Sequence, residues 1–277
     1  MRRFIQRVDR AVIVAGVRLS RASVVVRIGA FGLSWLLVLG ALTGRAAHAE
    51  DLRAAISSNF QIAARALIPA FQEQTGVRVV ASYGATGQLF AQISQGAPFD
   101  VYLAADQERP ERAIAERLAD GATRMTYAVG QLVMVSSGRQ VADLALALSQ
   151  SDIRRIAIAN PKTAPYGRAA MSVITKLGLA DRLSGRIVRG ANVVQAYQFI
   201  ATGNVELALV SASLVANGLR GAARHVYPVP TRLHAPIAQD AVILKRSRNR
   251  AAAERFFAYL RSPEAHQIIV RHGYARP

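Results

Sequence analysis

Asn160-Pro161-Lys162-Thr163-Ala164-Pro165-Tyr166-Gly167, continuing as Arg168-Ala169-Ala170-Met171, reads as a strand end, a proline-broken loop and the first turn of a helix. Residues 155–159 (RIAIA) are β-prone and stop at Asn160. Two prolines exclude regular structure up to Pro165. From Tyr166 onward the apolar residues Ala170, Ile174 and Leu177 recur at helical spacing. A helix start carries unpaired N–H groups and partial positive charge, so such a turn holds an anion without any Lys or Arg. Alone, it is equally well an ordinary strand-to-helix turn; the rest of the chain decides between the two.

The same strand–turn–helix pattern recurs upstream. Residues 52–56 (LRAAI) form a strand, Ser57-Ser58-Asn59 follow as N-cap types, and Phe60, Ala63, Ala64, Leu67, Ile68 and Phe71 trace a helix ended by Gly76. Residues 77–82 form a second strand, then come the turn Tyr83-Gly84-Ala85-Thr86-Gly87 and a helix over 88–95. A third strand, 99–104 (FDVYLA), leads to Asp106, read as a cap for the next loop, and a helix near 110–118. Three such units argue for a parallel sheet covered by helices, with ligands at the carboxyl ends of its strands.

Downstream the pattern restarts. A long apolar strand over 127–136 is followed by a helix at 144–148, the strand 155–159 with its helix from Tyr166, a strand at 186–189, a helix over 192–201 and a strand at 207–210 closing on Ser211. A second long strand covers 236–245, and helices over 250–261 and 263–271 end the chain. The fold class expected is therefore α/β with two lobes, lobe 1 from 50–130 and 240–277 and lobe 2 from 131–239, joined by the long strands 127–136 and 236–245 acting as a two-strand hinge. Ligand belongs in the cleft between lobes.

The first 49 residues read as a secretory signal. Seven arginines from Arg2 to Arg27 lead into an apolar stretch over 28–42, and Ala47-His48-Ala49 is a small-residue cleavage site before Glu50. The apolar stretch is shorter than the roughly 20 residues a membrane span needs. Removing the eight Arg and one Asp of 1–49 takes the net charge from +18 to +11. The remaining cations are nearly all Arg and scattered singly, with one run at Arg246-Ser247-Arg248-Asn249-Arg250, which favours a solvated basic surface over a nucleic-acid face. The chain has no Cys, so it has neither a thiolate metal site nor a thiol-linked lipid anchor.

Enzyme chemistry finds little support. The chain has no G-x-S-x-G elbow, no Walker loop and no H-E-x-x-H pair. Asp100 and Asp106 lie six residues apart, roughly 20 Å along a strand, too far for paired-carboxylate work. What converges instead is a set of neutral donors at strand ends: Ser58, Asn59 and Thr86 from lobe 1, and the helix starts at Tyr166 and Val193 from lobe 2. Each alone is an ordinary cap; their common placement argues for an anion site.

Four motifs in order carry a resemblance: SSNF at 57–60, TGVRVVASYGATGQLFAQISQGAPFDVYLAADQERPE at 75–111, NPKTAPYGRAAM at 160–171 and ANVVQAYQFIATGNVELALVS at 191–211. Together, from about Leu52 to the C-terminus, they resemble the periplasmic molybdate-binding proteins of ABC importers. The resemblance implies a type II periplasmic-binding-protein fold with two parallel-core sheets. It also implies a monomer that captures molybdate or tungstate in the periplasm and delivers it to an inner-membrane ABC permease. It implies no cofactor and no direct cation site, since molybdenum arrives as the oxyanion. The ligand residues it implies are Ser58, Asn59, Thr86, Tyr166 and Val193, the last through its backbone N–H. Ser57 replaces Ser58 if the register slips by one, Thr86 stands where Ser is more usual, and Ser211 stands where some members carry Tyr. A receptor for sulfate or phosphate on the same fold is the alternative. No nucleic-acid partner is expected.

Overall fold

The computed structural model describes residues 51–138 and 143–277. The expected signal, its cleavage site near Ala49 and the first residue of the expected lobe 1 lie outside these residues. Among the described residues, eleven strands form two mixed sheets. The first sheet has β1 (Leu52–Ser57), β2 (Val79–Gly84), β3 (Val101–Leu103), β4 (Met125–Gly130), β10 (Ile237–Ile243) and β11 (Tyr274–Ala275), in the order β11-β4-β10-β3-β1-β2. The second has β5 (Leu132–Ser136), β6 (Ile156–Ala159), β7 (Ile187–Gly190), β8 (Leu207–Ser211) and β9 (His225–Pro228), in the order β7-β6-β8-β5-β9. Each keeps a parallel core, β3-β1-β2 and β7-β6-β8, to which antiparallel strands are added.

Helices cover both sheets. They are α1 (Gln61–Thr75), α2 (Thr86–Ser94), α3 (Glu108–Ala115), α4 (Leu144–Ser149), α5 (Pro165–Lys176), α6 (Ala180–Leu183), α7 (Val193–Ala201), α8 (Arg250–Leu260) and α9 (Pro263–Arg271). α1 ends on Gly76 in the left-handed region (φ 68°), a backbone state that costs glycine nothing. Its apolar stripe, Ala63, Ala64, Leu67 and Phe71, is fully buried, and Phe71 meets Phe256 of α8 edge-on at 5.1 Å. α9 starts on Ser262, whose hydroxyl accepts from Ala265 N, with Pro263 as first helical residue.

Two expectations change. The apolar run 127–136 is not one strand. It breaks at Gln131 into β4 of the first sheet and β5 of the second, so the first passage between sheets is a single-residue link. The run 236–245 does not cross either: β10 pairs with β3 and β4 along its length, and the return passage is the stretch 229–236 before it, which holds the 3-10 turn Thr231–Leu233. Apolar residues run on through both sides of Gln131, so the pattern carries no mark of a change of sheet. Two short edge strands, β9 and β11, and the helix α6 also have no counterpart in the sequence pattern.

Candidate oxyanion site

The chain between β1 and α1 does not enter the helix directly. Ser58–Phe60 form a 3-10 turn, with Ser57 at its N-cap position. The Ser57 hydroxyl caps nothing; it lies 2.8 Å from Thr86 Oγ1, tying the end of β1 to the start of α2. Thr86 is fully buried, and its hydroxyl also accepts from Ala105 N at 3.2 Å. Ser58 and Asn59 are buried in the same turn. That turn packs against α7 and against the 3-10 turn Ala212–Leu214 after β8.

Two neighbouring helix starts lack side-chain caps. α2 begins after Ala85 and α5 after Ala164, and alanine has no side-chain acceptor; its carbonyls take Gln88 N and Gly167 N, so the Thr86 and Tyr166 N–H groups are the ones that no cap takes. Both alanines are buried, and with Ala105, Tyr166 and Val193 they belong to one apolar cluster. A buried helix start without a side-chain partner calls for another acceptor. α7 differs: Asn192 Oδ1 accepts from Gln195 N at 3.0 Å, a satisfied cap, with Val193 buried as its first residue. Pro165 opens α5 where a missing N–H costs nothing. Gly167 two residues later is required, because a β-carbon there would collide with the Ala159 carbonyl at the end of β6.

The loop between β6 and α5 meets the other sheet's elements directly. Gly87 N donates to Thr163 O at 2.8 Å, and Arg109 Nη2 donates to Lys162 O at 3.3 Å. Arg168 of α5 reaches Asp106 Oδ2 at 2.7 Å and Glu108 at 3.3 Å, and Asp106 is also paired with Arg109. Asp106 thus does more than cap α3, although it does accept from Arg109 N at 3.3 Å. Thr163 Oγ1 is buried there without a protein partner.

A second buried polar group lies under these turns. Asn59 Nδ2 donates to Gln239 Oε1 at 2.9 Å and to Tyr274 Oη at 3.0 Å. Gln239 Nε2 donates to Tyr166 Oη at 3.2 Å. The Asn59 carbonyl accepts from Tyr274 Oη at 2.7 Å and from Ser213 Oγ at 2.8 Å, and Ser213 in turn is 2.8 Å from Ser211 Oγ. Both hydrogens of the Asn59 amide are committed inside the protein, so what Asn59 offers a ligand is its backbone N–H. Burial pushes the Tyr166, Tyr127 and Tyr274 phenols well above the ordinary value of 10, so all three stay neutral donors.

The five expected residues therefore fall on four features: the Ser58 turn with Asn59, the α2 start at Thr86, the α5 start at Tyr166 and the α7 start at Val193. Ser211 lies beside Tyr166. Sequence reading missed Gln239, Ser213, Tyr274 and Thr163. For Gln239 the signal was present: a Gln-Asp pair inside the apolar strand IAQDAVI, where a buried polar residue needs partners. Except for the Asp106 ion cluster at the margin, the buried side chains here are neutral, an arrangement that holds a dianion by hydrogen bonds rather than by opposite charge. Among the described residues no cluster of three His, Cys, Asp or Glu is placed to hold a cation.

The family model for bacterial extracellular solute-binding proteins matches residues 52–275. The chain is 41% identical over 247 residues to the molybdate-binding protein ModA of Azotobacter vinelandii, covering 88% of this chain and 98% of that one. It is also 41% identical to ModA of Rhodobacter capsulatus over 228 residues, 82% and 89% of the two chains. The solved periplasmic molybdate-binding protein of Azotobacter vinelandii superposes with a TM-score of 0.77 at 36% identity, covering 82% of this chain and all of that one. The sulfate-binding protein SubI of Mycobacterium tuberculosis shares the fold at 16% identity (TM-score 0.69). The chain belongs to the bacterial extracellular solute-binding proteins, in the group of the molybdate-binding proteins.

Proposed function

We propose that the chain is the extracytoplasmic receptor of an ABC importer, capturing molybdate or tungstate and handing it to an inner-membrane permease. One observation carries the reading: two buried helix starts capped only by alanine, Ala85 and Ala164, face each other across the Gly87–Thr163 hydrogen bond beside the Ser58 turn. The relatives at 41% identity, which are named for molybdate, support it.

In this reading the oxyanion takes the N–H groups of the Ser58-Asn59 turn, the α2 start at Thr86, the α5 start at Tyr166 and Val193 N, together with the hydroxyls that can turn toward it. Charge-assisted bonds to neutral donors hold the dianion in a water-poor interior. Molybdate and sulfate share shape and charge but differ in bond length, so the size of the space selects between them. The lobes are 51–130 with 237–277, and 132–228, since β10 lies wholly in the first sheet. They move about the link at Gln131 and the return stretch 229–236. Closure brings Gly87 to Thr163 and Arg168 to Asp106, and it is the state the permease reads. The protein acts as a periplasmic monomer without enzyme activity or cofactor, released from a signal segment near Ala49. The alternative, a sulfate or phosphate receptor, is not favoured by the relatives.

A thermal melt with molybdate, tungstate, sulfate and phosphate, each in excess, tests the proposal. Ligand at about 1,000 times Kd adds about 4 kcal/mol, a shift of several degrees. A shift with molybdate and tungstate alone is expected; a shift with sulfate or phosphate instead overturns the substrate assignment.

A further inference from the structure

The candidate site has two margins, and they are built differently. At one, elements of the two sheets are bonded together: Gly87 N donates to Thr163 O, Arg109 Nη2 to Lys162 O and Arg168 Nη2 to Asp106 Oδ2. The charges there are matched, since Asp106 and Glu108 pair with both Arg109 and Arg168. At the other margin α1 of the first sheet and α7 of the second leave a groove of about 600 Å³ between them.

That groove begins where the site ends. Gln61 follows the Ser58–Phe60 turn directly and Val194 follows Val193, and both line it. Apolar wall comes from Ile62 on α1 and Tyr197 on α7. Two guanidiniums line it, those of Arg65 on α1 and of Arg220 beyond the 3-10 turn Ala212–Leu214, and no carboxylate does. Both arginines are exposed, and neither takes part in an ion pair among the described residues. Arg220 is held at the α7 wall, because its backbone N–H donates to Tyr197 Oη at 3.1 Å.

We propose that the α1–α7 groove is the path by which the oxyanion enters, and that Arg65 and Arg220 steer it there from solvent. The proposal rests on the reading of the interior as an oxyanion site. Neutral donors exert little pull at a distance, whereas a unit charge acts over about 10 Å at 0.1 M salt. Unpaired cations on a low-dielectric groove focus that pull at the mouth and raise the local concentration of a dianion. They speed arrival and leave release to the hydrogen bonds further in. Molybdate and sulfate, both dianions, feel the same pull, so the choice between them stays with the neutral site.

Stopped-flow association of molybdate at low ionic strength, followed by tyrosine fluorescence, tests this. Arg65→Gln combined with Arg220→Gln is expected to slow association about fivefold and to leave release within about twofold. Near 1 M salt, where the screening length falls to about 3 Å, the variant and the unaltered protein should associate at the same rate. Arg53→Gln combined with Arg248→Gln is the control. It removes the same charge from a surface at the amino end of β1, remote from the Ser58 turn, and should leave association nearly unchanged. Equal slowing by the two pairs assigns the effect to overall charge and overturns the proposal. So does unchanged association in Arg65→Gln with Arg220→Gln, and so does faster release with unchanged association, which would make the two arginines contacts of the bound state. The site reading survives all three results; failure of the unaltered protein to bind molybdate overturns that reading and the proposal together.

Discussion

Gly87 donates its backbone N–H to the carbonyl of Thr163 at 2.8 Å, joining the start of α2 on the first sheet to the loop before α5 on the second. The approach is close because residue 87 has no side chain. A β-carbon there would sit 3.1 Å from Thr163 O and Arg109 Nε and 3.2 Å from Thr163 Cα. Gly87→Val is expected to hold the two helix starts apart and to weaken molybdate binding at least tenfold. The loss should appear mainly as faster release in stopped-flow kinetics, with the ligand-free melting temperature little changed. Equal affinity for the variant would show that this contact is not part of the bound state.

The ion cluster at the cleft margin makes a separate prediction. Asp106 is buried and paired with Arg109 of its own half and with Arg168 of α5. Arg168 is partly exposed, so the pair's contribution is screened, and exposed pairs are worth about 0.2–1 kcal/mol. Arg168→Met should therefore raise the molybdate Kd only about twofold to fivefold, and less at high salt. Asp106→Asn removes the nearer counter-charge from two guanidiniums, one of them buried, leaving only the exposed Glu108, and should cost more, in affinity and in melting temperature.

Thr86→Ala removes a buried hydroxyl that accepts from Ala105 N and meets Ser57. If the Thr86 hydroxyl turns to the oxyanion on binding, the loss is a charge-assisted bond, about 1.5–3 kcal/mol of affinity. A titration in which stability falls but affinity does not would assign Thr86 to the scaffold and leave only its backbone N–H in the site.

Alkaline pH should destabilise the fold. Burial raises the phenols of Tyr102, Tyr127, Tyr166 and Tyr274 above the ordinary value of 10. The unfolded chain releases these protons near pH 10 while the folded protein keeps them. The native state then binds more protons, and stability falls as pH rises. Denaturant midpoints should be insensitive to these groups below about pH 9 and should drop steeply above pH 10. A flat profile through pH 11 would contradict the burial of these hydroxyls.

Much of this arrangement was legible in the chain. Gly76, Ser262-Pro263 and Asn192 marked helix ends where the structure has them, because capping is local chemistry that a few residues decide. The break at Gln131 was not legible, since both flanking runs are apolar and only tertiary pairing assigns them to different sheets. Nor was the fate of the Asn59 side chain, read as a cap but turned toward Gln239, 180 residues away. Its partners come from strands whose proximity no local pattern encodes. The site's helix starts were visible one by one, and what the structure adds is their facing across Gly87 and Thr163.

The central claim is that neutral donors at these helix starts select molybdate or tungstate over smaller oxyanions. The most direct measurement is a calorimetric titration of the purified protein with molybdate in the presence of a large excess of sulfate. Tight, one-to-one binding that sulfate leaves nearly unchanged is the predicted result, with that binding weakened at least tenfold in Gly87→Val. Binding that sulfate abolishes, or no binding of molybdate at all, would contradict it.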